Sequence, residues 1–88
     1  MYRVIWVPTA LNALTAVWVS ADSQTRTRIT TAVNSLDVAL QRSPLQAGES
    51  RGRNRRVALI APLGIEFEVD EASQTAWVWR VWRFTERE

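Results

Sequence analysis

The chain has 88 residues, 47% of them apolar, and carries eleven arginines but no lysine, histidine or cysteine. That length and composition bound it to one globular domain over residues 1–88 and exclude a disordered chain. They also exclude disulfides, thiolate or imidazole metal sites and, with only scattered carboxylates left as ligands, any expected metal or cofactor. Net charge is only +2, so the placement of the arginines carries more information than their sum.

Residues 2–7 read as a short, nearly all-apolar strand, and Met1-Tyr2-Arg3 runs straight into it without the pattern of a leader peptide. The longest apolar runs, Val4 to Val7 and Val57 to Leu63, are too short to span a bilayer. A soluble, unprocessed, cytoplasmic protein is expected, with no membrane partner. Pro8 suits the first turn of a helix, because its missing N–H costs nothing there. From Pro8 to about Val19, Leu11, Leu14 and Trp18 fall at helical spacing. Ser20 or Asp22 then offers an N-cap for a second helix reaching about Arg42, with Ile29, Val33, Leu36 and Leu40 on its apolar stripe. Two helices joined this tightly form an antiparallel hairpin.

Ser43-Pro44 stops the second helix, and Pro44 to Asn54 reads as a loop. Strands follow at Val57–Ala61, at Ile65–Asp70 with alternating apolar and acidic positions, and at Ala76–Phe84. The order is β-α-α-β-β-β. The predicted class is α+β, a helical hairpin packed on one face of a small antiparallel sheet. In the last hairpin, placing Asp70 opposite Ala76 sets Glu66 against Arg80 and Ile65 against Val81. It also sets Phe67 against Trp79 and Val69 against Trp77, which puts both tryptophans in the core, while Trp82 and Phe84 fall on the polar face.

Arg51, Arg53, Arg55 and Arg56 concentrate four guanidinium groups within six residues. A solvated loop beside a strand accounts for such a run. A contact surface for nucleic acid or a partner accounts for it equally, since guanidinium forks grip phosphates and carboxylates. Glu66 opposite Arg80 reads as a surface ion pair that stabilises little.

The opening YRVIWVPTALNAL, the loop SPLQAGES, the RR that begins a strand, PLGIEFEVD and the closing VWRVWRF together resemble the RelE/ParE superfamily of bacterial type II toxins, from Tyr2 to Phe84. The resemblance implies a growth-inhibiting toxin, associated with plasmid stabilisation and neutralised by a cognate antitoxin. It implies one of two targets: messenger RNA on the ribosome, cleaved by RelE-like members, or DNA gyrase, inhibited without cleavage by ParE-like members. An inactive relative that still binds its antitoxin is a third reading.

RNA cleavage requires charge stabilisation, which arginine supplies, and a group that moves protons. Active members of the family often carry a basic residue early in the penultimate strand and a Tyr or His near the C-terminus. Here those places hold Gly64-Ile65 and Phe84. The resemblance leaves Glu49 as the candidate base, or simply a loop carboxylate, with Arg56, Arg80 and Arg83 as candidate catalytic arginines. Arg51, Arg53, Arg55, Trp82 and Phe84 are candidate contacts to nucleic acid or to a partner.

Overall fold

The computed structural model describes residues 1–85. The chain runs through β1 (Arg3–Trp6), α1 (Pro8–Val19), α2 (Ser23–Arg42), a 3-10 turn (Pro44–Gln46), β2 (Glu49–Ser50), β3 (Arg55–Ile60), β4 (Leu63–Asp70) and β5 (Thr75–Arg83). The strands form one sheet in the order β1-β5-β4-β3-β2. The expected order of elements is present, and the two helices lie on one face of the sheet. Two features were not foreseen. The 44–54 loop contains the 3-10 turn and the two-residue β2, and β1 joins β5 in parallel, which makes the sheet mixed. A parallel neighbour needs a long crossover connection, and the helical hairpin provides the first part of one.

Local chemistry fixes the hairpin. Pro8 opens α1, and the Asp22 carboxylate caps α2 by accepting from the Thr25 amide at 2.8 Å. Arg26 closes the far end of α1: its Nε donates to the Trp18 carbonyl at 2.8 Å and its Nη2 to the Val19 carbonyl at 3.1 Å. The same guanidinium lies 5.6 Å from the Trp18 ring centre. On α2, Ile29, Ala32, Leu36 and Leu40 are buried and Val33 is half-buried, so the predicted stripe is the one that meets the core.

The predicted stripe of α1 is only partly the buried one. Ala10 is buried, with Ala13, Leu14 and Val17 packed against the core, whereas Leu11 and Trp18 are exposed. Small side chains let α1 settle close on β5, which leaves the bulky pair outside. Trp6 ties β1 to α2 by donating its indole N–H to Asp37 at 2.8 Å.

Period-two alternation assigns the sheet faces. Leu63, Ile65, Phe67 and Val69 of β4 point at the helices and are fully buried, as are Ala76 and Val78 of β5. The predicted pairs Glu66–Arg80 and Ile65–Val81 are present, but a register shift follows at Glu66/Phe67. Beyond it Phe67 faces Val78, Glu68 faces Trp77 and Val69 faces Ala76. Trp79 is the extra residue of a β-bulge, so neither tryptophan pairs as expected. Val78 and Ala76 take the core positions, and Trp79 is 40% exposed on the other face, stacked on half-buried Trp77 at 6.5 Å and 27°. Among the described residues, no helix is long and apolar enough to cross a membrane.

Candidate functional site

The face of the sheet away from the helices collects most of the chain's uncommitted chemistry. It presents Arg55, Val57 and Leu59 from β3, Glu66 and Glu68 from β4, and Trp77, Arg80 and Trp82 from β5, with the bulged Trp79 beside them. Glu66 is the hub. One of its oxygens lies 3.7 Å from Arg55 Nη1 and 3.8 Å from Arg80 Nη1, and Glu68 adds a second carboxylate 3.9 Å from Arg55 Nε. These are charge contacts rather than hydrogen bonds, and on a wet surface such a pair contributes about 0–1 kcal/mol. Arg80 is held loosely, with 72% of its side chain exposed.

Gly64 shapes the middle of this face. It sits opposite Trp82 across the β4–β5 ladder, and the indole lies flat on its backbone. A Cβ at Gly64 would come within 2.6 Å of Trp82 Cζ2 and Nε1 and would overlap Cε2. The Arg80 guanidinium carbon lies 5.8 Å from the Trp82 ring centre. Backbone, indole and guanidinium therefore form one column, which occupies the start of β4, where the family resemblance leads one to look for a basic side chain.

The residues singled out from the sequence do not gather at one point. Arg55, Arg80 and Trp82 share the open face, and the register puts Glu49 on it too, at the far edge of the sheet. Arg83 pairs with Leu63 on the helix side, near the N-terminus of α2. There its charge helps the Thr25 backbone and side chain, which act most strongly, to hold the Asp22 carboxyl below its ordinary value. Phe84 follows β5 half-buried, with its amide donating to the Pro62 carbonyl at 3.0 Å. Arg56 points to the helix side of β3 and braces the preceding loop. Its Nε donates to the Ala47 carbonyl at 2.8 Å and its Nη2 to the Gly48 carbonyl at 3.0 Å. Glu49, on the outermost strand, is 79% exposed and pairs with Arg51 at 3.1 Å.

Arg51, Arg53 and Arg55 surround the turn between β2 and β3. The Arg51 amide donates to the Arg55 carbonyl at 2.8 Å and the Arg55 amide to the Gly52 carbonyl at 3.0 Å. Gly52 and Arg53 carry positive φ values of 91° and 50°. A second surface lies across the molecule, where Leu14 and Trp18 of α1 and Ile29 and Val33 of α2 line an apolar groove of about 290 Å³. Sequence reasoning missed the Gly64–Trp82 contact, although a glycine within a strand signals close approach by another group. It also missed the Trp77–Trp79 platform.

No protein-family profile matches the chain, and no curated protein is significantly similar to it in sequence. Solved structures do match. A chain of the RelBE2 toxin–antitoxin complex from Mycobacterium tuberculosis superposes with a TM-score of 0.76 at 19% identity, covering 97% of this chain and 93% of that one. A chain of the chromosomal ParDE system from P. aeruginosa gives 0.72 at 18% identity, covering 97% and 98%. The isolated RelE toxin of E. coli gives 0.68 at 16% identity, covering 100% and 89%. This chain has the fold of the RelE/ParE toxin superfamily.

Proposed function

We propose that the chain is the toxin of a type II toxin–antitoxin pair, acting in the cytoplasm, and that it arrests growth by binding DNA gyrase rather than by cutting RNA. The observation that carries the second half is the dispersal of the four residues to which cleavage would fall. Arg80 stands on the open face, Arg83 is on the opposite side, Arg56 is spent on loop carbonyls, and Glu49, though on the face of Arg80, is on the edge strand β2, with β3 and β4 between them. A reacting phosphate needs its proton acceptor and its charge-stabilising groups within hydrogen-bonding reach of one centre. Trp82 seated on Gly64 fills the space at the start of β4, which further supports the binding mode.

The open face suits a protein partner. Tryptophan and arginine dominate the energetics of protein interfaces, and three tryptophans share this face with Arg80. The apolar groove between the helices suits an amphipathic helix of the antitoxin, whose docking would be ordinary helix-in-groove recognition. A ribosome-dependent nuclease is the second reading. The observation in its favour is the pairing of two arginines, Arg55 and Arg80, around one Glu66 oxygen beside the Trp82 ring.

Purified chain added to gyrase and relaxed plasmid tests the proposal. Loss of supercoiling that is restored by the co-expressed antitoxin is the expected result. Unimpaired supercoiling by a chain that arrests growth in cells would overturn it.

A further inference from the structure

The arginine-rich turn between β2 and β3 adjoins the open face, which it meets through Arg55 and Glu68, and its backbone is closely tied. Its backbone is closed by the Arg51–Arg55 and Arg55–Gly52 bonds and by a 3.3 Å contact from the Gly52 amide to Ser50 Oγ. The Val69 amide donates to the Asn54 carbonyl at 3.0 Å, which fastens the turn to β4. The turn therefore fixes where its arginines leave the backbone, on the rim of a recess of about 590 Å³ lined by Arg51, Gly52, Arg53, Asn54, Arg55 and Glu68.

Every lining residue is polar, charged or glycine. No aromatic ring stands there to stack a base, and no apolar side chain is available to anchor a peptide. Arg53 has no ion pair among the described residues. Arg55 touches its carboxylates at 3.7 and 3.9 Å without hydrogen bonds, so its donors remain available. Arginine forks bind phosphate oxygens bidentately. Arg51 gives only its Nη1 to Glu49 and the Ser50 carbonyl, at 3.1 and 3.3 Å, so three forks on one closed turn suit a ligand that repeats its anionic group along a backbone.

We propose that this turn is a clamp for the phosphodiester backbone of nucleic acid, gripped through Arg51, Arg53 and Arg55 without reading sequence. The clamp does not rest on the toxin reading, and either can fail alone. Backbone contacts position a protein on nucleic acid, and their signature is the salt dependence of binding. Three contacts predict a slope of log K against log salt of about −2.7 on duplex DNA and about −2.1 on single strands.

The test is anisotropy of the purified chain with a short labelled duplex DNA, a single-stranded RNA and labelled poly-glutamate, each over a range of salt. Arg53→Asn suits the left-handed backbone at this position and should lower the duplex slope by about 0.9. Arg51→Ala with Arg53→Asn should lower it by about twice that, while Arg28→Ala, on the exposed side of α2, should leave it unchanged. Circular dichroism of each variant confirms that the fold is retained. Binding to the duplex alone, to RNA alone or to both, with these changes in slope, supports the clamp and assigns its source. Slopes that survive the double substitution would overturn it. So would binding of poly-glutamate with no affinity for either nucleic acid.

Discussion

At Gly64 a single missing methyl group decides what stands on the open face. The Trp82 indole needs the bare backbone beneath it, and Arg80 rests over the ring. Gly64→Ala is therefore expected to destabilise the protein by about 1–3 kcal/mol, the range for overpacking a filled site. It should also shift tryptophan fluorescence. In a Trp82→Ala background the same change should cost much less, and chemical denaturation of the four variants measures the coupling. Equal costs in the two backgrounds would contradict the contact.

Asp22 carries the other residue-scale prediction. The Thr25 backbone and side chain, helped by Arg83 and Arg26, lower its pKa in the folded chain, so the unfolded chain takes up its proton first as pH falls. The stability it contributes is complete above the ordinary carboxylate value and is lost as pH drops through the lower folded value. Asp22→Ala should lower Tm at neutral pH, and the gap from the parent should close in that acidic window. A gap that persists well below it would show that the carboxylate charge is not the cause.

Among the elements, β5 shows how far the sequence could be read and where reading stopped. Its repeat Val78-Trp79-Arg80, Val81-Trp82-Arg83 has a period of three, whereas a regular strand has a period of two. Both valines point to the core. That is possible only if one residue between them is looped out of register, and Trp79 is that residue. A reading based on plain alternation places Glu66–Arg80 and Ile65–Val81 correctly and then fails from Phe67 onward. The repeat itself was the available signal. Deleting Trp79 should leave a regular strand with Ala76, Val78 and Val81 still facing inward. The shortened chain is expected to fold with Tm within about 8 °C of the parent, equivalent to about 1 kcal/mol for a domain of this size. Near-UV circular dichroism should lose the Trp77–Trp79 stack. A chain that fails to fold would show that the bulge is structural rather than a device for presenting Trp79.

Over the whole molecule, the sequence specified architecture better than chemistry. The apolar stripe of α2, the Asp22 cap and the alternation of β4 arise from local patterning, which a single sequence displays directly. The parallel placement of β1 and the outward turn of Leu11 and Trp18 depend on how closely two layers approach, and that is decided by packing. The same limit applied to function. Arg56, Arg80 and Arg83 look equivalent along the chain, yet one braces a loop, one stands over an indole and one lies near a helix cap. The proposal that concerns the molecule as a whole is action by binding rather than by cleavage. Inducing the chain alone and mapping transcript 5′ ends during growth arrest separates the two. Arrest with intact messages is the expected result, whereas new ends confined to translated messages would establish cleavage instead.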